Sequence, residues 1–462
     1  MRSKALSLFV LLLISAILAA CGGGGASQNP TTAPAGEATE PAAAATEPAA
    51  QATEPAASGG GEGDLSGTVS ILGAFTGAEA EAFEATLAVF EQMYPGVDVV
   101  YSGVNDFDTQ VVVRVQAGDP PDIAAFPQPG GAARQAADGQ LVPLWPEAQA
   151  VLDENFAPFW KELGTFDGTP YGMFHRVNAK GFIWYNKPAF EAAGYSVPTT
   201  WEELQALEEQ IIADGGVPWC EGIESGAATG WKGTDWIENI MLRTQSTDVY
   251  DQWIAGDVTF TSPEVRNAFD ILGEIWLDPT MVYGGQQTIV LTSVPDAATF
   301  LFTDPPNCWL HMQGSFATNF FPEEVQADLD NQVGVFVMPA IDPAVTPALE
   351  VGGDVFVVFQ GKDRPEVKAF IEFLGTVEST TDWAALGGAL FPHKGQDLSV
   401  YPTEIERTIA ETIINAEAAR FDASDAMSAE ANAAFWKGIT DWVSGNRDLD
   451  GALQDIDAAR PQ

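Results

Sequence analysis

A short apolar run that ends in small residues is the part of this sequence best suited to hold a ligand. Trp309 to Met312 predicts a buried strand, and Gly314 and Ser315 end it. Their backbone N–H groups can then point at a group outside the sheet, and the ring of Phe316 follows at once. In open α/β sheets, ligands bind in the crevice beyond the carboxyl ends of the strands. The alternative is an ordinary strand-to-helix turn with Phe316 in the core.

Aromatic and polar side chains stand at comparable places along the rest of the chain, beside predicted strand ends and in glycine-rich loops. Rings pack against apolar faces, and carboxylates and amides exchange hydrogen bonds with hydroxyl groups. The further candidates are the rings of Phe75, Trp184, Tyr185, Trp231, Trp236 and Trp383 and the polar groups of Asp122, Gln128, Asn178, Asp235 and Asp354, the last preceded by Gly353. For each ring the alternative is a place in the core, and for Asp354 it is a turn cap.

The charge of the chain limits its ligands and partners. The sequence holds 65 acidic and 20 basic residues, a formal net charge of −45 at pH 7. Such a charge argues against nucleic acid and against docking on anionic lipid headgroups. It also disfavours an anionic ligand. A neutral polar ligand or a cation fits better.

Motifs for covalent or metal-assisted chemistry are missing from the sequence. Its three histidines, His175, His311 and His393, do not form a spacing typical of a metal site. The sequence has no Gly-x-Ser-x-Gly elbow, no His-Glu-x-x-His and no Walker-type loop. We therefore expect no metal and no cofactor, and we expect any ATP hydrolysis to fall to a partner protein.

The first 21 residues predict a lipoprotein signal peptide. Arg2 and Lys4 precede an apolar run over residues 5–18, which is too short to span a bilayer comfortably. Leu18-Ala19-Ala20-Cys21 matches the bacterial lipobox, which predicts cleavage before Cys21 and a lipid on its sulfur. The protein would then be anchored at the outer face of a membrane. The alternative is a plain secretory signal with an incidental cysteine.

Residues 22–65 predict an unfolded tether. They consist of Gly, Ala, Pro, Thr and Glu, with Ala-Thr-Glu-Pro repeated at 38–41, 45–48 and 52–55. This composition has too little apolar surface to offset the entropy of ordering, and its regular prolines favour an extended chain. Beyond the tether, Cys220 and Cys308 are expected to pair as a disulfide in an exported protein. The alternative is two separate buried thiols.

Hydrophobic periodicity predicts strands that alternate with helices. Residues 68–72 predict a strand, and Thr76 with Glu79 predicts a capping box that opens the next helix. A second capping box is predicted at Thr200 and Glu203. This alternation indicates an α/β fold, and residues 66–460 are too many for one ordinary core.

Several motifs, in this order and spacing, resemble the extracellular solute-binding proteins of ABC importers, in the sugar-binding group similar to maltose-binding protein. The motifs are the lipobox and tether, Tyr185-Asn186-Lys187, Pro198-Thr199-Thr200-Trp201-Glu202-Glu203-Leu204, Met312-Gln313-Gly314-Ser315-Phe316, Gly352-Gly353 before a strand, and Phe391-Pro392-His393-Lys394. The resemblance covers most of residues 66–395. The glycine-rich segment from Gly226 to Trp236 further resembles binders of α-glucosides such as maltose, trehalose or sucrose.

The resemblance implies a two-lobed α/β fold of the periplasmic-binding-protein type, class II, each lobe a mostly parallel sheet flanked by helices. The N-terminal lobe would be residues 66–178 plus 339–376, and the C-terminal lobe 179–338 plus 377–460. A neutral mono- or oligosaccharide would bind between them, and the lobes would close around it. The implied partners are the transmembrane subunits of an ABC permease with a separate ATPase, and the implied state is a monomer.

The candidate side chains suit a sugar because a pyranose has an apolar C–H face and a rim of hydroxyl groups. Two other functions are compatible with the sequence. One is an exported glycoside hydrolase with two catalytic carboxylates, for which Glu221 and Glu224 are the candidates. The other is a tethered carbohydrate-binding protein unrelated to transport. The resemblance favours binding without catalysis.

Overall fold

The computed structural model of the protein describes residues 65–104 and 106–460. The predicted signal peptide, the lipidation site at Cys21 and nearly all of the predicted tether lie outside these residues. Within the described ranges, no helix combines the length and the apolar character that crossing a membrane requires.

The strands belong to one large sheet, one small sheet and a two-stranded hairpin. In chain order they are β1 (Ser66–Gly73), β2 (Gly96–Gly103), β3 (Ile123–Phe126), β4 (Thr165–Phe166), β5 (Thr169–Pro170), β6 (Met173–Ala179), β7 (Phe182–Asn186), β8 (His311–Gln313), β9 (Val333–Val337), β10 (Leu349–Val358) and β11 (Ala419–Phe421).

The large sheet places the ends of four strands along one edge. Strands β2, β1 and β3 are parallel neighbours. Strand β10 is antiparallel to both β3 and β6, so β6 runs in the same direction as β1, β2 and β3. Their carboxyl ends therefore share an edge, where ligands of α/β proteins usually bind. The small sheet, β8–β7–β9, is antiparallel throughout, unlike the mostly parallel sheet predicted for each lobe.

Helices cover both sheets. In chain order they are α1 (Ala78–Met93), α2 (Phe107–Gln116), α3 (Pro129–Ala137), α4 (Pro146–Asn155), α5 (Pro158–Leu163), α6 (Lys187–Ala193), α7 (Trp201–Ala213), α8 (Trp231–Thr244), α9 (Thr247–Ala255), α10 (Pro263–Trp276), α11 (Gly285–Leu291), α12 (Val294–Thr299), α13 (Glu323–Gln326), α14 (Leu329–Gln332), α15 (Pro365–Leu374), α16 (Thr381–Leu386), α17 (Glu404–Ile414), α18 (Ala423–Ala426), α19 (Ala429–Val443) and α20 (Leu449–Ala459). Short 3₁₀ turns cover Gly226–Ala228, Phe300–Phe302, Ser315–Phe320, Val377–Ser379 and Leu398–Val400.

One predicted capping box is present and the other is not. The Thr200 hydroxyl accepts a hydrogen bond from the backbone N–H of Glu203 at the start of α7, as predicted. The prediction for Thr76 and Glu79 is wrong, because α1 begins after Gly77 and has no side-chain cap. The Glu79 carboxylate instead accepts a hydrogen bond from Arg176 Nη2 at 2.6 Å, so an ion pair replaces the cap.

Two separate apolar clusters form the interior. The first lies mainly on the large sheet, where it includes Phe83, Phe90 and Phe370, and it extends to Trp184 of the small sheet and to Cys220 and Cys308. The second is built mainly by helices around α8, α10 and α19, and it includes Trp276 and Phe435. We call them the first core and the second core.

The segment from α16 to β11 returns to the first core. Trp383 of α16 packs against Phe75 and Phe83, with ring centroids 5.6 Å apart in each pair. Strand β11 pairs with β10 in the large sheet. The predicted lobe division stays a prediction, and these contacts favour moving its last boundary from residue 376 to the end of β11 at Phe421.

The predicted disulfide is present. Cys220 and Cys308 are bonded, and both are fully buried. The bond ties the loop before α8 to the segment that leads into β8. It therefore supports the two chain segments that carry Trp231 and Phe316.

Candidate functional site

Strand β6 carries a row of polar side chains toward the edge of the large sheet. Arg176 and Asn178 alternate with buried residues of β6 and so lie on one face, and Lys180 follows two positions later, just beyond the strand. We call these three residues the polar row. Arg176 and Asn178 are half-buried although the apolar residues between and beside them are buried.

The first end of the polar row is an ion-pair network. Arg176 Nη1 donates to Asp354 Oδ2 at 3.2 Å, and its guanidinium lies 5.4 Å from the centre of the Phe75 ring. Burial raises the pKa of Asp354 to about 6, and Arg176 opposes that rise. Gly353 permits the bulge before Asp354, since its φ is 148° and a Cβ there would lie 2.7 Å from the Arg176 carbonyl oxygen.

The middle of the polar row lines a narrow cavity of about 30 Å³. Asn178, Ser315 and Phe316 form one part of its wall, and Leu390 and Ile405 form another. Ser315 Oγ accepts a hydrogen bond from the backbone N–H of Ala179 at 3.3 Å, which fixes the turn after β8 to the polar row. A cavity of this size has room for water alone.

Two half-buried rings face each other beside this cavity. The rings of Trp231 and Phe316 have centroids 6.1 Å apart at 47°. Trp231 is the first residue of α8, and Gly230 before it has φ 111°. A Cβ at Gly230 would lie 2.3 Å from the Trp436 carbonyl oxygen, so only glycine allows α8 to start this close to α19. Gly314 similarly leaves space for the Phe316 ring, because a Cβ at position 314 would lie 2.5 Å from that ring.

The far end of the polar row is a buried charged cluster, which we call the junction cluster. It consists of Lys180, Asp235, Glu238, Glu350 and Asp422. Lys180 Nζ is 2.8 Å from Asp235 Oδ1 and 3.8 Å from Glu350 Oε1, and it contacts Asp422. Glu238 accepts two hydrogen bonds from backbone N–H groups of α18, at 3.0 and 3.1 Å. The Lys180 ammonium also lies 5.6 Å from the centre of the Trp231 ring.

Charges in and near the junction cluster shift one another's pKa values. Burial raises the pKa of Asp235 to about 7, against the attraction of Lys180. Burial and the neighbouring Asp422 raise the pKa of Asp425 to about 8. For Asp422 burial acts in the same direction, but contact with Lys180 keeps its pKa below the usual range.

Gln128 connects the first core to α18. Its Nε2 donates to Asp425 Oδ1 at 3.1 Å, and Asn432 Nδ2 donates to the same oxygen at 3.4 Å. Gln128 follows β3 and therefore lies at the edge where the strands end. These hydrogen bonds form the part of the candidate site that lies nearest to α19.

Four of the candidate rings are core residues: Phe75 and three tryptophans. Trp184 and Trp236 are fully buried, and Trp383 is 2 % exposed. Trp236 packs edge-on against Trp219 at 5.0 Å, and Trp184 Nε1 donates to the Gln313 carbonyl. These rings therefore lie in the core, which was the alternative to ligand contact in the sequence analysis, and neighbouring residues cover them.

The other outlying candidates lie away from the paired rings. Phe75 is buried against Phe83 and Trp383. Tyr185 packs against Phe190 at 4.4 Å on the small sheet. Asp122 precedes β3, at the opposite end of that strand from Gln128.

Asp122 has a structural partner of its own. Arg364 donates to its two carboxylate oxygens at 2.9 and 3.1 Å, and Ser70 donates two further hydrogen bonds. Although burial acts to raise the pKa of Asp122, these donors keep it below the usual value. The carboxylate is therefore occupied by bonds inside the first core.

Sequence reasoning missed Arg176, Lys180, Asp425 and Asn432. The alternation of polar residues at 176, 178 and 180 within an apolar strand could have indicated the first two. Nothing local marks Asp425 or Asn432, since their position depends on α18 meeting α3 across a long stretch of chain.

The carboxylates proposed for a hydrolase are engaged elsewhere. Glu221 is fully buried, and its Oε2 lies 2.7 Å from Lys232 Nζ. Glu224 accepts a hydrogen bond from the backbone N–H of Gly226 at 2.9 Å. The two are therefore not arranged as an acid and a nucleophile around a shared substrate site.

Comparison with known proteins identifies the class. The family model described as bacterial extracellular solute-binding protein matches residues 72–381, so the chain belongs to this family. Its members bind solutes for ABC importers and are not enzymes. The resemblance predicted from the motifs is confirmed.

Two relatives match over most of their length. The osmoprotective compounds-binding protein GgtB of Synechocystis sp. is 44 % identical over 382 residues, covering 82 % of this chain and 89 % of the relative. The alpha-glucosides-binding periplasmic protein AglE of Rhizobium meliloti is 39 % identical over 400 residues, covering 84 % and 86 %.

Solved structures agree on the two-lobed fold. The bacterial solute receptor AcbH, described as preferring β-D-galactopyranose, matches with TM-score 0.71 at 20 % identity, covering 86 % of this chain and 97 % of that one. RafE in complex with raffinose matches with TM-score 0.63 at 19 % identity, covering 85 % and 98 %. The α/β periplasmic-binding-protein-like fold predicted from sequence is confirmed.

Proposed function

We propose that this protein captures a neutral α-glucoside, such as trehalose, sucrose or maltose, in the crevice between its two lobes. The observation that carries the proposal is the pair of half-buried rings, Trp231 and Phe316, opposite the polar row of β6. A ring can cover the C–H face of a pyranose while Asn178 and Gln128 exchange hydrogen bonds with its hydroxyl groups. The name of the Rhizobium meliloti relative, an alpha-glucosides-binding periplasmic protein, supports this choice.

The charges around the crevice favour an uncharged ligand. Arg176 is paired with Asp354 and Glu79, and Lys180 is paired with three carboxylates. Neither cation is left to attract an anion. The hydroxyl groups of a sugar need hydrogen-bonding partners without net charge, which amides supply.

We further propose that the ligand is delivered by a change in lobe separation. The narrow crevice corresponds to a closed form, and ligand binding would shift an open–closed equilibrium toward it. The closed form would dock on the transmembrane subunits of an ABC permease whose ATPase is a separate chain. Family membership supports a permease partner.

Lipid attachment at Cys21 would hold the protein at the outer face of the cell membrane, as a monomer on its tether. The lipobox and the repeated Ala-Thr-Glu-Pro segments support this part of the proposal. Mass spectrometry of the protein purified from a membrane fraction would detect a diacylglyceryl group on an N-terminal cysteine. An unmodified chain that begins at another residue would contradict it.

Replacing Trp231 with alanine is expected to weaken trehalose, sucrose or maltose binding by roughly 1–3 kcal/mol, since desolvated aromatic anchors contribute about this much. The measurement is isothermal titration of each sugar into the full chain. Trp309→Ala is the matched control, because that half-buried ring packs on Tyr195 near the other end of β8. A loss below about 0.5 kcal/mol for Trp231→Ala would show that its ring does not stack on the ligand.

A further inference from the structure

The junction cluster is built from chain segments of both cores. Lys180 lies in the crossing between β6 and β7, and Glu350 lies in β10. Asp422 follows β11, while Asp235 and Glu238 belong to α8, which packs in the second core. All four carboxylate residues are at most 3 % exposed. Any change in the separation of the cores at this point moves these charges relative to one another.

The cluster has more acidic groups than positive charges in contact with them. Lys180 is the ammonium that touches Asp235, Glu350 and Asp422. Among the described residues, no donor forms a hydrogen bond to Asp235 Oδ2 or to Glu350 Oε1. A buried ionised carboxylate without compensation is strongly unfavourable, so it holds a proton or a cation.

Lys180 leaves little room for a metal ion. One oxygen from each of the four carboxylates lies within 4.8 Å of the others, a spacing that would suit an oxygen-preferring cation. The Lys180 ammonium, however, lies 2.8 Å from Asp235 and also contacts Asp422. A metal ion would have to displace this ammonium, whereas a proton adds to the existing arrangement.

The groups around the cluster do not supply the missing charge. Arg243 of α8 donates to the Asn239 side chain and to the Met338 carbonyl rather than to a carboxylate, and Asn239 in turn donates to Glu350 Oε2. The charge of Arg243 opposes the rise in the pKa of Glu350 but does not outweigh its burial. Lys232 of α8 is paired with Glu221. The remaining groups that face the cluster are Asp425 of α18, which is acidic, and Tyr250 of α9, whose hydroxyl bonds the backbone on either side of Asp422.

We propose that the junction cluster is a proton-dependent latch: protons shared among its carboxyl groups hold α8 against the large sheet, and their loss in alkaline medium loosens the contact between the two cores. A proton on Glu350 or Asp235 would supply the hydrogen-bond donor that Asp235 Oδ2 and Glu350 Oε1 lack. The latch is independent of which solute is bound.

The raised pKa values of the cluster carboxyl groups determine how stability changes with pH. Burial and neighbouring carboxylates raise the pKa of Glu238 and Glu350 well above the usual range, and burial raises that of Asp235 to about 7. The folded protein therefore binds more protons than the unfolded chain above the ordinary carboxyl pKa. Its stability falls as pH rises toward and through the folded pKa values. Asp422, with its lowered pKa, acts in the opposite direction and only in acid.

The test compares the protein with Glu350→Gln and Asp235→Asn between about pH 5.5 and about pH 8.5. Each amide can place an N–H₂ group where the unpartnered oxygen lies, which imitates a permanent proton. We expect the Tm of the unaltered protein to fall by about 5 °C over this range and its radius of gyration to rise. Each variant should lose at least half of the Tm change. Glu417→Gln, at an exposed position close to β11, is the matched control and should behave as the unaltered protein.

Two results would overturn the latch. One is a Tm and a radius of gyration that do not change with pH in the unaltered protein, a measurement that needs no variant to fold. The other is a Tm that rises with added CaCl₂, falls with EDTA and ignores pH, which would make the cluster a cation site. If one variant fails to fold, the other and the pH profile of the unaltered protein decide.

Discussion

Lys232→Met is expected to lower the free energy of unfolding by about 3–5 kcal/mol, the cost of leaving one partner of a buried ion pair alone. Lys232 and Glu221 have fully buried side chains, with 2.7 Å between Nζ and Oε2. Burial raises the pKa of Glu221, and the ammonium of Lys232 is the largest of the influences that oppose that rise. Denaturant-induced unfolding, followed by tryptophan fluorescence, measures the loss.

The double variant Lys232→Met with Glu221→Gln is the control for this prediction. Because it removes both charges, it should recover much of the stability that the single variant loses. A single-variant loss of less than about 1 kcal/mol would mean that the pair is solvated in solution. The pair also bears on function, since Lys232 follows the ring of Trp231 directly.

Removing the disulfide with Cys220→Ala and Cys308→Ala is expected to cost up to about 4–5 kcal/mol of unfolding free energy, the chain-entropy value for a loop of this length. The two cysteines are 88 residues apart in sequence. Alanine is preferred to serine because both sites are fully buried, where a hydroxyl group would lack a partner.

Unfolding of the unaltered protein in the presence of a reductant is the control for the disulfide prediction. The unaltered protein unfolded in excess reductant should match the double variant within about 1 kcal/mol, since both lack the cross-link. Equal stability of the oxidised protein and the double variant would contradict the prediction. We also expect sugar affinity to fall in the double variant, because the bond supports the segments that carry Trp231 and Phe316.

The sequence was sufficient for the fold and for part of the site. A strand that ends in Gly314 and Ser315, followed by Phe316, is a local pattern, and in the structure Ser315 and Phe316 line the narrow cavity. Trp231 in a glycine-rich segment is likewise local, since Gly230 sets the start of α8.

The remaining site depends on packing between distant segments. Trp236 lies five residues after Trp231 in α8, yet Trp219 and Trp276 enclose it, and nothing in the sequence of α8 distinguishes its two faces. Nearly all of α8 is buried, so its pattern of apolar residues does not show which side faces a ligand.

The positions of the polar and charged residues likewise could not be predicted from local sequence. Asp122 and Gln128 flank one strand, and the choice between its two ends requires the direction of the whole sheet. Lys180, Glu350 and Asp422 meet only because β6, β10 and β11 are brought together in the large sheet. Tertiary contacts of this range carry no local signature.

The most direct test of the proposed sugar capture is the thermal shift of the full chain across a panel of neutral sugars, with the sugar analysed afterwards. We expect trehalose, sucrose or maltose to raise the Tm, by the equivalent of about 2.7 kcal/mol at a hundredfold excess over Kd, and to be recovered intact. A panel in which no neutral sugar changes the Tm would contradict sugar capture. Release of glucose from the bound sugar would contradict binding without catalysis.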